Sequence, residues 1–329
     1  MIRGMLRRYR ALDFCILFLA FALMVPSGSA QAWGPEKGEG TFSTAFDYIN
    51  FAGHFQSDGS RTPQAASKSR SFLFQFEYGV TDRFTITTSL PLVSARYSGN
   101  DPSPSTLQML FNQVLQSVGP GFYNHGFLDD THYHTAVQDF RFNARYRLVS
   151  RPVVITPFIG SVLPSHDYAY VGESAPGRNL KEFQFGTDVA RRLNPFLRRG
   201  YVDGQIALAI PEAALNIRTT RTNASMEIGY LLNRRVAFRG IADWQHTFYG
   251  LHFPADLTTP EIILTHERLL KANYWHIGGG VSYALTPKID LSADIVTFVS
   301  GSDTHYGTGV SVGIARSFTL RRRSATGQN

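Results

Sequence analysis

Between His134 and Val149 five polar side chains recur at every second position: Asp139, Arg141, Asn143, Arg145 and Arg147. Phe140, Phe142, Ala144, Tyr146 and Leu148 fill the places between them. Residues two apart share a face of an extended chain, so this spacing makes a ladder of guanidinium groups on one side and a greasy ridge on the other. Such a ladder can do one of two things. Beside water it attracts anionic or polar solutes; beside carboxylates it pairs with them and fills an interior. The acids for the second role are present at inward-compatible positions: Glu77, Glu182, Asp188, Asp203, Glu227, Asp243, Asp290 and Asp294, with Arg239 as a further base. The sequence leaves both readings open.

Other reactive constellations are weaker. His125, Asp129, Asp130, His132 and His134 crowd one segment. His132 and His134 could share a metal ion if extended, but no ligand spacing is diagnostic, and a polar loop is the preferred reading. Thr265-His-Glu-Arg-Leu-Leu270 begins like a zinc-protease helix, yet Leu270 stands where the second histidine belongs. For hydrolysis at a rim, Ser165 with His166 or Ser302 with His305 could be invoked. Neighbours on a strand point to opposite faces, which argues against the first pair. A G-x-S-x-G nucleophile elbow belongs to another fold, and no phosphate-cradling glycine loop is visible. The expectation is a non-enzyme without cofactor or resident metal.

The N-terminus has the pattern of an export signal. Arg3, Arg7, Arg8 and Arg10 precede an apolar run from Cys15 to Val25, and Ala30-x-Ala32 offers a small-x-small cleavage site. The expected organisation is a cleaved leader over 1–32, one domain over 33–318 and a polar tail over 319–329. The one cysteine, Cys15, leaves with the leader, which excludes disulfides, thiol catalysis and cysteine metal sites from the remainder. The formal charge of +7 is inflated by leader and tail arginines, so it does not argue for nucleic acid.

The elements that must position these groups show in the rhythm of the chain. In Arg70–Gly79, Phe72, Phe74, Phe76 and Tyr78 fall on one face, opposite Ser71, Leu73, Gln75 and Glu77. Similar segments of about ten residues recur to the C-terminus, the signature of a closed sheet with lipid outside and polar groups within. A mean hydropathy of −0.13 suits a barrel, in which only every second residue meets lipid, and 13 % aromatics suit interfacial girdles. The fold expected is an all-β, transmembrane, antiparallel up-and-down barrel of about twelve strands. These are 40–55, 69–79, 83–97, 134–149, 153–163, 181–192, 200–216, 221–232, 235–249, 273–285, 289–299 and 305–318. Short turns (80–82, 150–152, 233–234, 286–288) alternate with long loops (56–68, 98–133, 164–180, 250–272), and Gly301–Asp303 is a short turn on the long side. Ser105–Val118, capped by Ser105, and Pro260–Leu270 have helical spacing. The last strand ends on Phe318, a terminal aromatic of the kind that barrel assembly machinery recognises.

Several of these segments resemble, in order, the phenol meta-pathway family of outer-membrane barrels. They are Tyr78-Gly-Val-Thr-Asp-Arg83 followed by Leu90-Pro91, Asp139-Phe140 leading to Arg145-Tyr-Arg-Leu148, Pro157-Phe158 with Leu163-Pro164, Glu182-Phe-Gln-Phe-Gly186, and Glu227-Ile-Gly-Tyr230. Ser165-His166 and Gln138 depart from the family pattern. The resemblance implies a transporter-like barrel in the bacterial outer membrane and no catalytic residues. Together these readings predict a monomeric passive channel for small polar, anionic or aromatic solutes. Its partners would be outer-membrane lipid, lipopolysaccharide, the barrel assembly machinery and a small-molecule solute, with no nucleic acid. A rim enzyme acting on lipid and a closed structural barrel are the alternatives.

Overall fold

A computed structural model describes residues 31–118 and 126–320. Its strands are β1 (Glu39–Phe55), β2 (Arg61–Thr62), β3 (Ser67–Gly79), β4 (Phe84–Tyr97), β5 (His134–Val137), β6 (Asp139–Tyr146) and β7 (Val154–Pro164). They continue with β8 (Glu182–Arg192), β9 (Gly200–Pro211), β10 (Arg221–Leu231), β11 (Val236–Thr247), β12 (Asn273–Thr286), β13 (Ile289–Ser302) and β14 (Thr304–Thr319). Each long strand pairs antiparallel with its neighbour in sequence, and β14 returns to β1 from Glu39↔Thr319 to Phe55↔Thr304. With β2 a stub on β1 and β5 the continuation of β6, the sheet is a closed barrel of 12 strands. Closure satisfies every ladder without an open edge, the condition for crossing hydrocarbon with strands.

The outer face is apolar. Phe72, Phe74 and Phe76 on β3 are 47 %, 41 % and 37 % exposed, while Glu77 between them and the barrel interior is buried. Phe183 and Phe185, Ile206, Met226 and Ile228, Trp275 and Ile277, and Ile295 extend the belt around the wall. An apolar surface of this extent has no place in water and is the natural solvent-facing side of a barrel in lipid. No helix among the described residues is long and apolar enough to cross a membrane.

Four local expectations are corrected. The segment 134–149 is not one strand. Leu92 pairs with Val137 and Ser89 with Arg141, so between these pairs the three residues Gln138, Asp139 and Phe140 face only Leu90 and Pro91, a bulge at Gln138. Pro91, opposite the bulge, has no N–H for the ladder, and the amide of Gln138 bonds the Pro91 carbonyl instead. The bulge flips the parity, so that Val137 and Phe140, three apart, are both exposed. Second, β9 stops at Pro211, and Leu215 and Asn216 take left-handed φ values of 46° and 64° in a turn. Third, Gly301 and Ser302 belong to β13, and Asp303 alone (φ 55°) turns the chain into β14. Fourth, the loop helix begins at Pro104 rather than Ser105. Ser103 caps it, its hydroxyl accepting the Thr106 amide at 3.3 Å, and Pro104 takes the first turn, where no N–H is needed.

The loops that follow β4, β7 and β11 gather at one barrel end. Leu107, Phe111 and Val114 of the helix Pro104–Val118 bury against Val171 and, from the helix Pro260–Thr265, Leu264. A second cluster joins Leu180, Ala214 and Leu269. The lid therefore has its own apolar core. Asp303 ties it to the seam, accepting the Phe253 amide at 2.8 Å and lying 2.9 Å from His252 Nδ1. At the opposite end a short turn, Gln31–Trp33, sits inside the barrel, with Ala32 fully buried against Val154 and Ala190.

Candidate functional site

Beneath the lid lies a cavity of about 510 Å³, walled by residues of β6 to β12 and roofed by Gly177, Arg178 and Leu180. Asp139, Arg141, Glu182 and Asp243 stand on its wall. Their bonds differ. Asp139 accepts the Tyr168 hydroxyl at 2.5 Å. Glu182 takes Arg221 Nη2 at 2.6 Å and Gln184 Nε2 at 2.5 Å. Asp243 faces His276 Nε2 at 3.3 Å. Arg141 is exposed to the cavity and makes no ion pair among the described residues. The ladder presents this guanidinium to water because the even-numbered residues of β6, Phe140 and Tyr146 among them, take the outer face.

The other members of the ladder are engaged. Arg145 meets Asp188 at 3.0 Å, both nearly or fully buried, and Gln205 Nε2 donates to the same carboxylate at 2.7 Å. Arg147 donates to the carbonyls of Trp33 and Gly34, the latter at 2.6 Å. Asp203 accepts the Ala32 amide at 3.2 Å, and Thr156 Oγ1 bonds the Ala32 carbonyl at 2.9 Å. The end of the ladder thus holds the Gln31–Trp33 turn inside the barrel mouth. Arg239 grips Asp294 through Nε (2.7 Å) and Nη2 (2.5 Å), reaches Glu227 at 3.9 Å, and Glu227 also takes the Tyr201 hydroxyl. Glu77 lies on a second pocket of about 520 Å³ at the turn end, with Trp33, Arg192 and Lys288. The two sequence readings divide the barrel between them: a polar cavity under the lid, and paired charges filling the region below.

Residues that the sequence did not single out complete the cavity. Arg221 shares the inward parity of Glu227, a signal that was available. Arg178 sits in an aperiodic loop and had none. It donates to the Thr219 hydroxyl and to the Arg268 carbonyl, the latter at 3.2 Å, and burial together with nearby Arg221 pushes its guanidinium down to about 10. Tyr168 is pushed up by burial and by its bond to the Asp139 carboxyl.

The histidine segment, read from the sequence as a polar loop, forms no cluster of metal-ligand spacing among the described residues. His132 and His134 both turn to Asp130, at 3.5 and 2.8 Å, and His132 is 81 % exposed. Asp129 points away and accepts the amides of Glu173 and Ser174, each at 2.8 Å. His125 lies outside the described residues. Ser165 and His166 do meet, Oγ to Nδ1 at 2.9 Å, contrary to expectation. They lie past the end of β7, where strand alternation no longer applies. The Ser165 hydroxyl is also directed at the Val137 carbonyl, at 2.8 Å.

No protein-family model matches the sequence, and no curated protein is significantly similar to it. Solved structures are similar in shape. The COG4313 outer membrane channel from Pseudomonas putida F1 superposes with a TM-score of 0.64 at 12 % identity, over 89 % of this chain and 100 % of that one. The NanC porin (TM-score 0.45, 8 % identity, 84 % and 100 % covered) and the P. putida toluene transporter TodX (0.40, 12 %, 91 % and 94 %) are more distant. At these identities the first likeness shows the fold alone, that of an outer-membrane barrel.

Proposed function

We propose that this protein is an outer-membrane channel that passes small polar or anionic solutes passively. One observation carries the reading: the cavity inside a lipid-clad barrel exposes an arginine, Arg141, that forms no ion pair among the described residues. A barrel built only as a wall gains nothing from a hydrated, unpaired charge in its interior; a conduit gains solute selectivity from it. Tyr274 on the same wall offers an apolar face to aromatic solutes. A structure of similar fold is itself an outer membrane channel, which supports the same reading.

The reading includes removal of the leader, delivery by the barrel assembly machinery, contact with lipopolysaccharide and a monomeric state. No step consumes energy: lumen width, the charge of the wall and the lid set the selection. The test is conductance of the purified barrel in planar bilayers. Reproducible single-channel steps, with a reversal potential that responds to a salt gradient, are expected. A silent bilayer would favour the closed structural barrel.

A further inference from the structure

One side-chain cluster has no part in the conduit. His54, at the end of β1, is fully buried, and neither of its ring nitrogens has a hydrogen-bond partner. Its register partner across the closing seam is His305 on β14. The lid loop between β11 and β12 brings His266 and Glu267 to the same point, and the loop between β7 and β8 brings Glu173. Glu267 Oε1 lies 3.7 Å from His54 Nε2, 3.2 Å from His266 Nε2 and 2.9 Å from His305 Nε2. Glu173 Oε2 is 3.2 Å from His266 Nε2. The carboxylate oxygens Glu173 Oε2 and Glu267 Oε1 and the His266 Nε2 atom are buried without a properly directed hydrogen bond.

Three features single out what belongs there. His266 Nδ1 faces the Ile263 carbonyl at 2.6 Å, which places the ring proton on Nδ1 and leaves the Nε2 lone pair aimed inward, the usual outer-sphere arrangement of a metal-bound imidazole. Glu267 Oε1 stands from the three Nε2 atoms at separations that bracket the roughly 3.3 Å between ligands of a tetrahedral ion bound at about 2.0–2.1 Å. Two carboxylates balance a double positive charge, and Phe253, stacked on His54 at 4.1 Å and itself buried, keeps water out. Two ligand triads share His54, namely His54–Glu173–His266 and His54–Glu267–His305.

We propose that this pocket binds one divalent transition-metal ion of the zinc class, with His54, His266, His305 and Glu267 as ligands and Glu173 bracing His266. The ion pins the lid to the seam where the barrel closes. The His266-Glu267 pair that begins like a protease motif finds its missing histidines on other elements, β1 and β14. This assignment does not depend on the channel reading, and its test does not use conductance.

The experiment takes the full-length barrel, folded in detergent and stripped with chelator, and titrates it with Co²⁺ as a spectroscopic stand-in for zinc. The expected result is one equivalent bound, with the intense visible ligand-field bands of tetrahedral nitrogen and oxygen coordination, displaced by Zn²⁺. His54→Ala and Glu267→Gln should each weaken binding at least tenfold, and His132→Ala, an exposed histidine outside the cluster, should not. Folding is checked for each variant by heat-modifiable gel mobility, and Glu267→Gln keeps the shape of the pocket should His54→Ala fail to fold. Absence of the bands in the wild type, binding equal in wild type and Glu267→Gln, or loss of binding in His132→Ala would overturn the assignment; the first of these would mean that the cluster holds protons only.

Discussion

Reversing the charge at Arg141 is the sharpest probe of the conduit. A cavity of about 510 Å³ has the volume of a sphere of radius about 5 Å, so an ion passing through it comes within about 6 Å of a wall charge. In bulk-like water one unit charge at that distance contributes about 0.7 kcal/mol, and Arg141→Glu changes the wall by two units, about 1.4 kcal/mol. At 0.1 M salt the Debye length of about 10 Å leaves roughly half of this. The shift has opposite signs for anions and cations, so their permeability ratio should move by about 1.4 kcal/mol, roughly tenfold, toward cations. The assay is the reversal potential across a planar bilayer with a tenfold salt gradient. Arg141 is changed alone, because Arg145 is paired with buried Asp188 and its reversal would test stability instead. A change in the ratio of less than about twofold, with conductance intact, would refute the reasoning: the cavity would then lie off the path that ions take.

Other expectations follow from the same geometry. Phe74→Arg sets a guanidinium on the lipid face near the middle of β3 at a cost of roughly 2–4 kcal/mol. Its folded fraction in vesicles, read by heat-modifiable mobility, should fall about thirty- to a thousand-fold relative to Gln75→Arg, which faces inward; equal tolerance would reverse the assignment of faces. Arg239→Met leaves Asp294 buried beside Glu227 and should cost about 3–5 kcal/mol in urea unfolding, much of it regained in the double variant with Asp294→Leu. Arg147→Ala removes both bonds to the Trp33–Gly34 backbone and should release the turn from the barrel mouth, seen as faster quenching of Trp33 fluorescence in a background lacking Trp244 and Trp275. Zinc at a hundred times its dissociation constant should raise the unfolding free energy by about 2.7 kcal/mol, and chelator should abolish the gain.

The barrel was legible because its cause is local and repetitive. The alternation in Arg70–Gly79 needs no knowledge of distant residues: a two-residue period with aromatics on one face can be stable only where that face meets lipid and the other does not. The same period marked Asp139, Arg145, Asp203 and Glu227 as belonging to the interior. It failed where the period breaks. Pro91 removed a ladder donor, and the compensating bulge at Gln138 appears only when β4 and β5 are laid side by side. Ser165 and His166 meet because their chain has left the strand.

What the chain declares by itself, then, is the wall: which side chains face out, roughly where each strand turns, and that charge must be kept within. Which interior charges are paired and which stay open to the cavity was settled only by the closed sheet. Arg141 and Arg145 are indistinguishable by type and parity, yet Arg145 has Asp188 across from it and Arg141 lines the open cavity. The histidine cluster makes the same point, since His54 and His305 lie at opposite ends of the sequence and become neighbours only when β14 closes on β1. Periodicity reports the environment along one strand; partnership depends on which strands the closing register brings together.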